Sequence, residues 1–206
     1  MEAQLDYTKQ MKDLYLPKNQ PVILDVGAMP FIMIDGQGDP NGEEFGKVVE
    51  ALYGFAYTIK FSNKGKDVPS GYYPFKVFPL EGIWDLNGKD RPFDKSNFKY
   101  TAMIRQPDFV TTELFEKTRE QLKTKKPNHY LDKAVFGTVT EGLCCQMMHI
   151  GSYDDEPASF AAMEAYCSQN GYIRTSKTHR EIYLSDPRRT DVYKLKTVLR
   201  FLVAKV

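Results

Sequence analysis

The stretches IDGQGDP at residues 34–40 and HIGSYDDEP at residues 149–157 each end a strand-like segment and precede a helix-like one. After each helix the chain continues into two strand-like segments joined by a turn. The first of these contains PLEGIW at 79–84 in one half and HREIYL at 179–184 in the other. One strand–helix–strand–strand unit therefore occurs twice. Because neither copy could bury both its helix and a sheet face alone, we predict one α+β domain with pseudo-two-fold symmetry.

The predicted domain spans 21–206 and follows an N-terminal extension at 1–20. Its half-repeats lie at about 21–106 and 131–206, and a helix at 107–126 joins them. We expect antiparallel sheets with the helices on one side and a ligand cleft along the axis.

Apolar spacing and helix-end residues define the two repeat helices. The first carries an apolar stripe at helical spacing, made of Phe45, Val48, Val49, Leu52, Ala56 and Ile59. The second is predicted at 157–170, with Pro157 in its first turn and Gly171 just beyond its end.

Composition argues against several kinds of partner. The 206 residues include 28 Lys and Arg against 27 Asp and Glu, so we expect no direct nucleic-acid partner. No apolar stretch reaches the ~20 residues that span a bilayer, so we expect no membrane partner. The polar N-terminus and three cysteines without a CxxC pair favour a cytoplasmic location. Thirteen Tyr and thirteen Phe are typical of either an apolar pocket or an aromatic-rich core.

Motifs for metals and cofactors are missing from the sequence. His129, His149 and His179 lie at no metal-ligand spacing. No GxSxG, dinucleotide-binding or phosphate-binding glycine motif occurs. The sequence therefore predicts neither a metal site nor a cofactor.

Glu181 is the first candidate for chemistry. Strand alternation places His179, Glu181 and Tyr183 on one face and the other set, Arg180, Ile182 and Leu184, on the opposite face. The aliphatic set would face the helices, which leaves Glu181 on the other side among aromatic residues. A carboxylate in a partly dry pocket suits a bound cation or acid–base catalysis. The alternative is an exposed glutamate paired with Arg or Lys.

The remaining candidates follow from position. Glu81 occupies the place in the first repeat that corresponds to Glu181, and Trp84 is either a core residue or a stacking platform. The other predicted ligand-binding residues, each with core packing as the alternative, are Tyr100, Met103, Phe136, Met147 and His149.

Three segments carry a resemblance to a known family: PLEGIW, TEGLCCQMMHIGSYDDEP at 140–157 and KTHREIYLSDPRR at 177–189. From about residue 20 to its end, the chain resembles the GyrI-like small-molecule-binding proteins, which include effector domains of multidrug-sensing regulators. The resemblance implies a tandem of two strand–helix–strand–strand units with a ligand cleft between them. It also implies that Glu181 lies at the floor of that cleft.

The resemblance leaves three functions open. The first is a stand-alone protein that binds hydrophobic, often cationic, small molecules. The second is a hydrolase that opens cyclopropane rings of DNA-alkylating toxins, with Glu181 and either Tyr183 or Glu81 as catalytic groups. The third is a protein-interaction role such as inhibition of gyrase.

Overall fold

The computed structural model describes residues 4–65, 67–86 and 98–206, with the backbone alone at Leu86. The helices of these residues are α1 (Tyr7–Gln10), α2 (Lys12–Tyr15), α3 (Glu43–Lys60), α4 (Thr112–Lys125) and α5 (Glu156–Gln169). The strands are β1 (Val22–Val26), β2 (Met29–Gln37), β3 (Leu80–Leu86), β4 (Phe98–Arg105), β5 (Val135–Val139), β6 (Gly142–Ile150), β7 (Tyr172–Arg174), β8 (His179–Tyr183) and β9 (Lys196–Lys205). The predicted connection at 87–97 lies outside the described residues.

One antiparallel sheet runs through the molecule in the order β1-β6-β9-β8-β3-β4-β2-β5, and β7 pairs with the far part of β9. Each strand has a counterpart in the other half: β1 and β5, β2 and β6, β3 and β8, and β4 and β9. When each strand is replaced by its counterpart, the strand order is the same read in reverse. The pseudo-two-fold axis therefore lies between β3 and β8, which pair directly. The predicted α+β tandem repeat is confirmed.

The two halves also exchange their first strands. The predicted single strand at 21–36 is divided into β1 and β2. β1 pairs with β6 of the second half, and β5 of the second half pairs with β2 of the first. Each half thus completes the sheet of the other, which ties the repeats into one folding unit.

One side of the sheet is covered by α3, α4 and α5. Phe55 of α3 stacks on Phe115 of α4 with ring centroids 5.1 Å apart. Met163 and Cys167 of α5 pack on a cluster that includes Leu199 of β9. Helix α4 begins later than predicted because Thr111 caps it, its hydroxyl accepting a hydrogen bond from the Leu114 backbone.

The other side of the sheet is covered by the N-terminal segment, residues 4–16, which contains α1 and α2. Tyr7 and Tyr15 pack against Phe78. Arg200 of β9 donates a hydrogen bond to the Leu14 carbonyl at 3.3 Å. Both faces of the central strands are therefore buried. In the described part of the chain, no helix combines the length and the apolar character needed to cross a membrane.

Candidate functional site

Glu181 lies in the middle of β8, next to the pseudo-two-fold axis, on the face that α5 covers. Its partner across the ladder is Leu199, which packs in the same cluster as Met163 of α5. This is the opposite of the predicted orientation, in which Ile182 faces the helices. That prediction assumed one dry face, whereas the N-terminal segment buries the face of Ile182 as well.

Two side chains converge on the Glu181 carboxylate. Tyr183 donates its hydroxyl to Oε2 at 2.7 Å, and Nε2 of His179 lies 2.9 Å from Oε1. The Trp84 indole N–H donates in turn to the Tyr183 oxygen at 2.8 Å. A short hydrogen bond from a hydroxyl to a carboxylate fixes the orientation of the carboxylate.

Tyr183 remains a hydroxyl donor over the whole physiological range. Burial raises its pKa well above 10, and the nearby Glu181 carboxylate raises it further. The chain of contacts therefore runs in one direction, from the indole of Trp84 through the phenol of Tyr183 to the carboxylate of Glu181.

A second carboxyl group, that of Glu156, lies beside Glu181. Glu156 is the first residue of α5 and is 7% exposed. Burial raises its pKa to about 9, with a further contribution from the Glu181 carboxylate. At neutral pH Glu156 therefore keeps its proton beside the carboxyl group of Glu181, and two neighbouring carboxyl groups in different surroundings are typical of an acid and a base.

An aromatic wall continues from Trp84 toward α3. Trp84 and Tyr100 are each 5% exposed, with ring centroids 5.3 Å apart. Phe45 of α3 packs against both rings. On the other side, the ring of Tyr153 meets the ring of Tyr183 edge to face at 6.1 Å. These rings pack on one another, and their cluster reaches the Glu181 carboxylate through the hydroxyl of Tyr183.

Glu81 does not join this site. It pairs with Ile182 across the β3–β8 ladder, whereas Gly82 pairs with Glu181. Glu81 therefore lies on the opposite face, where it accepts a hydrogen bond from Arg180 at 3.1 Å. The predicted equivalence of Glu81 and Glu181 is one residue out of register, and a shift of one residue reverses the face of a strand.

The other predicted ligand-binding residues divide between the two faces. Met103 pairs with Glu81 and packs with Phe31 on the face opposite Glu181. Phe136 packs against Phe115 of α4, and Met147 packs beneath α5. In the structure these three residues pack in the core, which was the alternative to ligand binding for each of them.

His149 lies on the side of the sheet that α5 covers, but it contacts the chain just before α5 rather than Glu181. Its Nδ1 is 2.9 Å from the Ser159 hydroxyl and its Nε2 is 2.9 Å from the Ser152 carbonyl. It therefore fixes the turn from which Glu156 enters the site.

Four residues of the site had no predicted role in it: Phe45, Tyr153, Glu156 and Phe160. Glu156 stands within the segment that carries the family resemblance, directly before a proline at a helix start. Phe160, one helical turn later, packs edge to face on His179 with ring centroids 4.8 Å apart. That spacing on α5 is the sequence feature that could have placed Glu156 beside β8.

Comparison with known proteins gives the family. A model described as the GyrI-like small molecule binding domain matches residues 19–202. The chain belongs to the GyrI-like family. It therefore carries a small-molecule-binding domain.

Solved structures are similar to this chain over nearly its whole length. Two structures from Listeria innocua, each called a hydrolase, share 39% and 40% sequence identity with this chain, with TM-scores of 0.90 and 0.92. Each alignment covers 98% of this chain and 100% of the other. The EcmrR C-terminal domain, at 14% identity and a TM-score of 0.57 over 91% of this chain and 98% of the other, is similar in fold. No curated protein matches the sequence.

Proposed function

We propose that this GyrI-like protein binds an apolar, electrophilic small molecule beside Glu181 and hydrolyses it. The observation that carries the proposal is the pair of adjacent carboxyl groups. Glu156 is buried with one oxygen unsatisfied and its pKa raised, whereas Glu181 is contacted by Tyr183 and His179. A site that only binds a cation would need one carboxylate. The similar Listeria chains that are called hydrolases support the same conclusion.

The geometry fits addition of water to a strained ring conjugated to a carbonyl, such as an activated cyclopropane. Glu181 takes a proton from water while the water oxygen bonds to a ring carbon. The ring C–C bond breaks, and its electron pair moves toward the carbonyl oxygen. Glu156 gives its proton to that oxygen. The product therefore contains the atoms of the substrate and of one water molecule. Transfer of a proton from Glu181 to Glu156 then restores the starting state of the site.

The neighbouring residues hold the base in place. Tyr183 and His179 bind the two oxygens of Glu181, and Trp84 binds Tyr183. Such contacts restrict the carboxylate to one orientation before the reaction begins, which is how a preorganised site lowers a barrier.

A second candidate is binding of a hydrophobic cation without turnover. It is favoured by the contact of the Glu181 carboxyl group with Tyr183, whose ring packs on that of Tyr153, because cations are attracted both to carboxylates and to aromatic rings. In that case Glu156 would have no chemical task.

One experiment separates the two candidates. The protein is incubated with a compound that bears an activated cyclopropane, and the ring-opened product is measured by mass spectrometry. We expect turnover by the unmodified protein and a loss of roughly 10²–10⁴-fold in Glu181→Gln, with the compound still bound. Glu164→Gln, another glutamate of α5 whose partners are Arg174 and Lys177, is the matched control.

The other outcomes are equally clear. Stoichiometric binding without product in the unmodified protein would favour the second candidate. Equal turnover in Glu181→Gln and in the unmodified protein would contradict the proposed role of Glu181.

A further inference from the structure

We propose that Glu156, His179 and Glu181 bind one divalent first-row transition-metal ion. One donor atom from each of the three residues lies within 4.8 Å of the other two. Nε2 of His179 and Oε1 of Glu181 are 2.9 Å apart. Two adjacent ligands, each about 2.1 Å from such an ion, are about 3.0 Å apart at a right angle and about 3.4 Å apart in a tetrahedral site.

Glu156 provides independent support. Its Oε1 is buried and has no hydrogen-bond partner among the described residues. Buried polar atoms normally have a partner, so the unsatisfied oxygen of Glu156 beside Glu181 is a position that a ligand can fill. A metal ion bound there would displace the proton of Glu156, since metal binding releases protons from its ligands.

The groups around the three candidate ligands are those that orient metal ligands. Nδ1 of His179 lies 3.4 Å from the Lys177 carbonyl, and an N–H at Nδ1 would leave the Nε2 lone pair available to a metal ion beside Glu181. Oε2 of Glu181 accepts the Tyr183 hydroxyl, so the second oxygen is held while the first is free to coordinate.

The donor set selects the class of metal. One imidazole nitrogen and two carboxylate oxygens suit Zn²⁺, Co²⁺, Mn²⁺ or Fe²⁺ better than Mg²⁺ or Ca²⁺, which take oxygen ligands. Three protein ligands leave coordination positions open for water or a small molecule. The predicted absence of a metal considered histidine spacing alone and did not include glutamates brought in from α5.

The metal inference goes beyond the proposed hydrolysis and does not depend on it. Metal-free protein is titrated with Zn²⁺ by calorimetry, and Co²⁺ binding is followed by its visible absorption. We expect one equivalent to bind, with affinity at least about tenfold weaker in Glu156→Gln and in His179→Gln. Tyr183→Phe, which keeps all three ligands, is expected to weaken binding by roughly 10–100-fold.

His129→Gln is the matched control, because His129 also lies beside a glutamate, Glu44, but at an exposed position. It should bind as the unmodified protein does. Circular dichroism of each variant shows that the fold is retained. The proposal is overturned if no equivalent binds at millimolar metal, or if Glu156→Gln and His179→Gln both bind as tightly as His129→Gln does. Either result leaves the hydrolysis assay to be judged on its own product.

Discussion

At the scale of single residues, the site consists of a carboxylate that its neighbours hold and a carboxyl group that they leave unpaired. Glu181 accepts a hydrogen bond from Tyr183 and contacts Nε2 of His179, whereas Glu156 is buried next to it with one oxygen unsatisfied. Strand alternation in the sequence correctly grouped Glu181 with Tyr183 and His179. It could not identify Glu156, because the contact between a helix start and a strand 25 residues later depends on long-range packing.

The state of Glu156 affects stability. Its pKa in the folded protein is about 9, above the ordinary 4.5, so the folded state holds a proton that the unfolded state has lost. This contribution to stability is complete below pH 4.5 and is lost as pH rises toward 9. The free energy of unfolding of the unmodified protein should therefore fall relative to that of Glu156→Gln as pH rises. We predict a relative change of about 1 kcal/mol or more between pH 5 and pH 8.

Denaturant unfolding at the two pH values provides the measurement, with Glu164→Gln as the control. If the free energy of unfolding depends on pH in the same way in both glutamine variants and in the unmodified protein, the carboxyl group of Glu156 is not buried as described.

At the scale of elements, α5 is positioned by contacts at its beginning. His149 of β6 bridges Ser152 before the helix and Ser159 within it, and Glu156 lies between these two serines. The helices were predictable because their apolar positions recur every three or four residues. The exchange of β1 and β5 was not, because short edge strands carry little information on which partner they pair with.

We predict that Ser159→Ala loosens the start of α5. Loss of the contact with His149 should cost about 1 kcal/mol of unfolding free energy and lower the hydrolysis rate several-fold. Thermal unfolding and steady-state kinetics measure the two effects. Ser168→Ala, near the exposed end of the same helix, should change neither quantity. An equal effect of the two variants would show that the contact between His149 and Ser159 does not position the site.

At the scale of the whole molecule, a buried ionic network on the face opposite Glu181 joins the halves. Arg180 of β8 binds Glu81 of β3, and Glu141 binds both Arg180 and Arg200. Burial raises the pKa of Glu81, and the two arginines oppose this effect. The repeat was visible in the sequence, but this network was not, because the alignment of Glu81 with Glu181 placed the two glutamates on the same face of the sheet.

Because an unpaired buried charge is costly, we predict that Arg180→Met lowers the free energy of unfolding by about 3–5 kcal/mol. The double variant Arg180→Met with Glu81→Leu should recover much of this loss. Arg188→Met, at an exposed pair with Asp186, should cost less than about 1 kcal/mol. Equal losses in the two single variants would exclude a stabilising role for the network.

The buried, protonated state of Glu156 beside Glu181 is tested most directly by ¹³C NMR of the glutamate side-chain carboxyl carbons during a pH titration. We predict one resonance that titrates near pH 9 and disappears in Glu156→Gln. A resonance lost in Glu156→Gln that titrates instead near the ordinary value of 4.5 would contradict this state of Glu156 and the acid role proposed for it.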